Sequence, residues 1–168
     1  MAGALIITAE MAPVDLAWLD QLRRTHYPLA RNQVPAHLTI FHALPPSSER
    51  EIRSLLSRCA PEPPPAATIE GIMDLGSGIA FRVVSHDLDR IRRELAKDLH
   101  GLLSAQDSGG WRPHVTIQNK VTRTESRTLL SKLQSEFRPR PLTIAGLGLH
   151  RYLDGPWEKL ASVRFRGR

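Results

Sequence analysis

Two tetrapeptides of one pattern, His37-Leu38-Thr39-Ile40 and His114-Val115-Thr116-Ile117, stand 77 residues apart, and the segments around them follow the same order. Each half reads as a His-bearing strand, then an amphipathic helix, then a hairpin. A tetrad of His, apolar, Ser or Thr, apolar is expected by chance roughly 0.1 times in a chain of this composition, so two copies at matching places mark an internal duplication. The period is too long, and the copies too few, for a stacked solenoid. The halves must therefore close on one another. The pattern predicts an α+β fold, duplicated and bilobal, with two antiparallel sheets flanked by helices and a central cleft. At 168 residues the chain suits one domain over 1–168 with two pseudo-symmetric lobes.

Local signals fill in this plan. Leu5–Met11 and Ala36–Leu44 read as strands, with a helix over 14–27 between them. Ser47 and Ser48 precede Glu51 as an N-cap to a helix that stops before Pro61, and the residues from Pro61 to Pro65 form a connector. Gly76-Ser77-Gly78 joins two strands, 68–75 and 79–85, after which Asp87 is expected to cap a helix carrying Leu88, Ile91, Leu95, Leu99 and Leu102. In the second half a polar loop over 104–113 leads to a strand at 115–121 and a helix at 124–137. The closing hairpin turns at Asp154-Gly155-Pro156.

A strand places residues i and i+2 on one side, roughly 6.6 Å apart, so His37 and Thr39 share a face while Leu38 and Ile40 anchor the other. The second tetrad does the same. Two facing lobes would then gather two imidazoles and two hydroxyls around one pocket, a set suited to displacement at a phosphodiester. One histidine serves as base and the other as acid, while the hydroxyls hold the non-bridging oxygens. Both imidazoles start near pH 6.5 and no acidic residue adjoins either tetrad in sequence, so kcat/KM is expected to peak at about pH 6–7.5. Histidine pairs at metal-binding spacing are absent, and no metal or other cofactor is implied.

In a duplicated α+β chain of this size, paired His-x-Thr-x tetrads resemble the 2H phosphoesterase superfamily, and within it the branch of RNA 2′,3′-cyclic phosphodiesterases, also called 2′-5′ RNA ligases. Ala36 before the first tetrad, Arg112-Pro113 before the second, and a final hairpin with Tyr152 to Trp157 sit where that pattern places similar features. The resemblance implies a cleft between lobes and metal-independent opening of a 2′,3′-cyclic phosphate to a 2′-phosphate, with reversible 2′-5′ ligation as its counterpart. It implies catalytic roles for His37, His114, Thr39 and Thr116, with His37 as acid and His114 as base. Two other readings stand beside it: the same chemistry on a small nucleotide such as an ADP-ribose cyclic phosphate or a 2′-5′ oligonucleotide, and a non-catalytic RNA-binding module.

For substrate contacts, Phe41 and Gln118 fall at i+4 from their histidines, with core packing an equal reading for Phe41, and Lys120 continues the second of those faces. Arg31 and Arg112 stand in loops before the tetrads, where either could hold a flanking phosphate. Trp111, Tyr152 and Trp157 are candidate stacking platforms. His42 is expected to be structural, on the opposite strand face, and Cys59 a small core residue. The net charge of +6 favours an anionic partner, but nine aromatic residues are too few for a long single strand, so an RNA end or a small phosphorylated nucleotide fits better. The apolar runs are far shorter than the ~20 residues of a spanning helix, and the N-terminus lacks a signal-peptide pattern. A cytoplasmic protein is expected, with no membrane partner, acting as a monomer.

Overall fold

The computed structural model describes residues 3–168. Its seven strands are β1 (Leu5–Met11), β2 (Leu38–Leu44), β3 (Ala66–Asp74), β4 (Ile79–Val84), β5 (His114–Gln118), β6 (Arg140–Tyr152) and β7 (Trp157–Arg164). Its helices are α1 (Pro13–His26), α2 (Glu49–Cys59), α3 (His86–Asp98), the single turn α4 (Ala105–Ser108) and α5 (Arg123–Glu136). All strand pairs are antiparallel. The two expected sheets are joined: the strand order is β2-β1-β6-β3-β4-β5, with β7 also on β6. β6 is long enough to serve both parts, pairing with β3 over Arg140–Thr143 and with β1 and β7 beyond.

The duplication is legible in this order. Elements that start at residues 5, 13, 38, 49 and 66 have counterparts that start at 79, 86, 114, 123 and 140. β2 and β5 lie at opposite ends of the strand order and yet touch, so the sheet curls until the two tetrad-bearing strands face each other. Between sheet and helices lies one apolar core that includes Leu5, Ile7, Leu38, Ile40, Leu56, Ile79, Val115, Ile117 and Leu149, all essentially shielded from solvent. Each such side chain contributes about 1.5–3 kcal/mol by leaving water.

Helix starts follow local chemistry, with two departures from expectation. Pro13 opens α1, where its missing N–H costs nothing, and Thr122 with Glu125 forms a capping box on α5. The cap of α3 is Ser85, whose Oγ accepts from the Leu88 amide at 3.1 Å. Asp87 lies inside the first turn instead, where its carboxylate accepts from the Ala66 amide across the fold. Ser48 does not cap α2: its hydroxyl donates to the Pro45 carbonyl, because a one-turn 3-10 helix, Pro46–Ser48, intervenes. β5 ends earlier than expected, as Lys120 adopts a left-handed conformation with φ of 62°.

Candidate active site

Both tetrads carry the same irregularity. Thr8 and Ile7 pair with Thr39 and Phe41, leaving Ile40 as an extra residue. Ala80 and Ile79 pair with Thr116 and Gln118, leaving Ile117 extra in the same place. A bulge shifts the alternation of the strand by one residue. The consequence corrects the i+4 expectation in both halves. Phe41 is fully buried, and Gln118 is buried with its Oε1 lacking a hydrogen-bond partner, so neither faces the cleft. Gly78 is required beside this second bulge, since a Cβ there would collide with the Gln118 carbonyl.

The tetrads themselves come together. His37, Thr39, His114 and Thr116 line one cleft of about 360 Å³, with His42, Arg92, Asp107, Trp111, Arg112 and Trp157 among its other walls. The imidazoles are oriented alike: Nδ1 of His37 donates to the Pro35 carbonyl at 2.8 Å, and Nδ1 of His114 donates to the Arg112 carbonyl at 2.7 Å. In each case the acceptor lies two residues upstream. That bond fixes the Nδ1–H tautomer and leaves Nε2 free for proton transfer.

The Trp157 ring lies 4.4 Å from the His37 ring and 5.5 Å from the His150 ring. Burial is the largest influence on His37 and lowers its pKa from 6.5 to about 4; the Pro35 bond opposes the shift, while Arg23, His150 and His114 add to it. A sequence-based expectation of two unshifted histidines therefore fails. The enclosing tryptophan sits 120 residues further along the chain, and no local pattern announces it.

Among the other expected contacts, Arg112 lies at the cleft and Trp111 and Trp157 line it, while Tyr152 is not among its walls. Arg31 is exposed on a one-turn 3-10 helix, Leu29–Arg31, and is not among the lining residues. Lys120 lies beyond the end of β5, and its left-handed backbone breaks the strand periodicity that pointed it at the cleft. His42 is a lining residue after all, because the β2 bulge brings it round, and its Nδ1 lies 3.1 Å from Oδ1 of buried Asp107. Burial alone would raise the Asp107 pKa, but hydrogen bonds from the His42 ring and the His42 and Ala43 amides hold it below the usual carboxylate range. Sequence reasoning also missed Arg23, which is 3% exposed, and Arg92; both read as ordinary helix-face arginines. Cys59 is half-buried against the core, its Sγ donating to the Leu55 carbonyl.

A second cavity, of about 290 Å³, shares His37 and Trp157 with the cleft. Its floor is apolar, with Met11, Leu16, Val34 and Ala36, and Glu10, His150 and Lys159 stand among its polar walls. Among the described residues no three His, Cys, Asp or Glu side chains gather into a metal site. Among the same residues no helix is long and apolar enough to cross a membrane.

With duplicated histidine and threonine tetrads facing across one cleft, the site has the arrangement of the 2H phosphoesterases. The chain belongs to the 2′-5′ RNA ligase superfamily, whose sequence profile matches residues 12–156. Solved structures with the same fold include TT0787 of Thermus thermophilus, 18% identical with a TM-score of 0.67 over 98% of this chain and 99% of that one. Escherichia coli LigT, complexed with NADP+, is 14% identical with a TM-score of 0.62 over 98% and 99% of the two chains. LigT complexed with 3′-AMP superimposes with a TM-score of 0.60 at 14% identity, over the same shares of the two chains. No curated protein sequence matches the chain.

Proposed function

We propose that this protein is a metal-independent 2′,3′-cyclic phosphodiesterase that opens the cyclic phosphate at an RNA end to a 2′-phosphate, with reversible 2′-5′ ligation when an RNA 5′-hydroxyl takes the place of water. The observation that carries this reading is the twofold repetition of one catalytic unit: an imidazole fixed through Nδ1 to an upstream carbonyl, beside a threonine hydroxyl, on each side of one cleft. Water attacks phosphorus as one Nε2 takes its proton, the P–O3′ bond breaks, and the other imidazolium protonates O3′. Thr39 and Thr116 donate to the non-bridging oxygens, whose charge grows in the transition state.

The burial of His37 bears on the division of labour. Burial holds the His37 pKa well below 6.5, so the neutral ring predominates at pH 7 and an imidazolium acid at that position is disfavoured. We therefore assign the base to His37 and the acid to His114, the reverse of the roles that the resemblance implies. Arg112 is among the residues lining the cleft, which supports it as the contact for a flanking phosphate. The apolar second cavity beside His37 fits the nucleoside that carries the reacting phosphate. LigT has been solved with 3′-AMP, with phosphate and with ATP, which supports a phosphorylated nucleotide as the ligand class. We expect the chain to act as a cytoplasmic monomer organised as one domain with two lobes.

The experiment is a substrate panel: RNA ending in a 2′,3′-cyclic phosphate, 2′,3′-cyclic mononucleotides, an ADP-ribose cyclic phosphate and a 2′-5′ oligonucleotide, with products identified by phosphorus NMR. RNA ends or cyclic mononucleotides should be opened to 2′-phosphates. Turnover of the ADP-ribose or 2′-5′ substrate alone would move the assignment to small-nucleotide chemistry. Binding without turnover of any of them would leave a non-catalytic module.

A further inference from the structure

β2 and β5 each form a ladder with a single neighbour, β1 and β4, so nothing in the sheet itself fixes the distance across the cleft between them. Side chains from the opposite half do. Along β2, Trp111 Nε1 donates to the Thr39 carbonyl at 3.1 Å and Arg92 Nε donates to the Ile40 carbonyl at 3.1 Å. Both amides that follow the bulge, His42 and Ala43, donate to the Asp107 carboxylate at 2.8 and 3.0 Å. Arg92 also donates to the Asp107 carbonyl, and Ser104 caps the α4 turn that presents that aspartate. Along β5 the tie runs the other way. Arg23, on α1 of the first half, donates from Nη1 to the Thr116 carbonyl at 3.0 Å and from Nε to Asn32 Oδ1 at 2.8 Å.

We propose that Arg23, Arg92, Asp107 and Trp111 are positioning residues that lock the two tetrads at their working separation. Four backbone groups of one tetrad strand, and one of the other, find their partners in the opposite half. The two arginines come from equivalent helices, α1 and α3, which makes the lock reciprocal. A guanidinium as buried as Arg23 is retained only where its donors are used, and its fork reaches two fixed acceptors as an ammonium cannot. Proton transfer at both ends of one phosphorus depends on this spacing, since a misplacement of about 1 Å can cost on the order of a hundredfold in rate.

The proposal rests on the reading of the cleft as a phosphodiesterase site, and its test is arranged to separate the two. Arg23 is the cleanest probe because it does not line the cleft. In Arg23→Met and Arg23→Lys, kcat measured well below the melting temperature should fall about tenfold or more, a larger change than that in KM. The lysine variant keeps the charge that faces His37 and should not rescue. Affinity for inorganic phosphate, measured by calorimetry and independent of turnover, should weaken at least about fivefold in the same variants. Trp111→Phe should lower kcat as well, and the losses in Arg23→Lys/Trp111→Phe should be less than multiplicative, because both changes free the same motion. Should the Arg23 variants fail to fold, Trp111→Phe and Asp107→Asn carry the same comparison. Wild-type kcat and phosphate affinity in Arg23→Lys, or a drop in melting temperature alone across the set, would overturn the proposal. Absence of turnover in the wild type, with phosphate affinity still falling in the variants, would instead overturn the phosphodiesterase reading and leave the lock standing.

Discussion

Replacing Trp157 with alanine tests the electrostatics of the site at one atom group. The indole covers the His37 ring at 4.4 Å, and burial takes that imidazole from 6.5 to about 4. Removing the indole opens one side of the ring to water. We expect the pKa to recover by about 1 to 2 units, equivalent to about 1.4–2.7 kcal/mol of restored imidazolium solvation. The assay is kcat/KM against pH from 3.5 to 8, which reports the free enzyme. The wild-type acid limb should fall near pH 4, and the variant's should move to between 5 and 6. The limb reports the pKa whichever role His37 plays, so the test is independent of the acid and base assignment. The same shift acts on stability. Below pH 6.5 the unfolded chain binds a proton that folded His37 refuses, so stability falls as pH drops from about 6.5 to about 4, by at most about 3 kcal/mol, and is unaffected by this group above that window. A wild-type limb near 6.5, or a limb in Trp157→Ala that does not move, would refute the argument.

Other expectations follow from the same geometry. His37→Ala and His114→Ala should each abolish turnover of a natural cyclic phosphate while circular dichroism stays native; near wild-type rates in either would end the two-histidine mechanism. With a leaving group that needs no proton, His114→Ala should recover far more than His37→Ala, and the opposite ranking would restore the role order implied by the resemblance. Activity should survive exhaustive chelation, and a loss reversed by one particular divalent ion would contradict the metal-free scheme. Gly78→Ala should lower stability by about 2–3 kcal/mol in denaturant titration, because the added Cβ meets the Gln118 carbonyl rather than a movable side chain; an unchanged midpoint would show that the backbone yields.

The duplicated tetrads were enough to reach the fold class and the cleft, because a two-residue strand period and a repeated element order are local properties. What lay beyond them was set by tertiary contacts. Phe41 and Gln118 obey the strand period on paper, but the bulges at Ile40 and Ile117 turn them into the core. A bulge shows itself in the pairing of two strands and leaves little mark in either one. Arg23 and Arg92 look like solvated helix residues until α1 is seen against β5 and α3 is seen reaching β2. Strand alternation alone puts His42 on the opposite face, and the same bulge brings it to the cleft. The joining of two sheets through β6 could be suspected only from the length of that strand, 13 residues against 5 to 9 for the others.

β6 has a consequence for how the molecule is born. It completes the ladders of both β1 and β3, and its first residue is Arg140. On the ribosome, β1 is made long before β6 and must wait for it before its second edge is covered. Until then the edges of β1 and β3 that β6 will cover stay open, each a template for pairing with a neighbour. Pairing across so wide a sequence separation is also slow to nucleate. Premature stops before Arg140 should therefore yield insoluble products rather than shortened folded ones, and folding yield should depend on expression rate and chaperone supply more steeply than the size of the protein suggests.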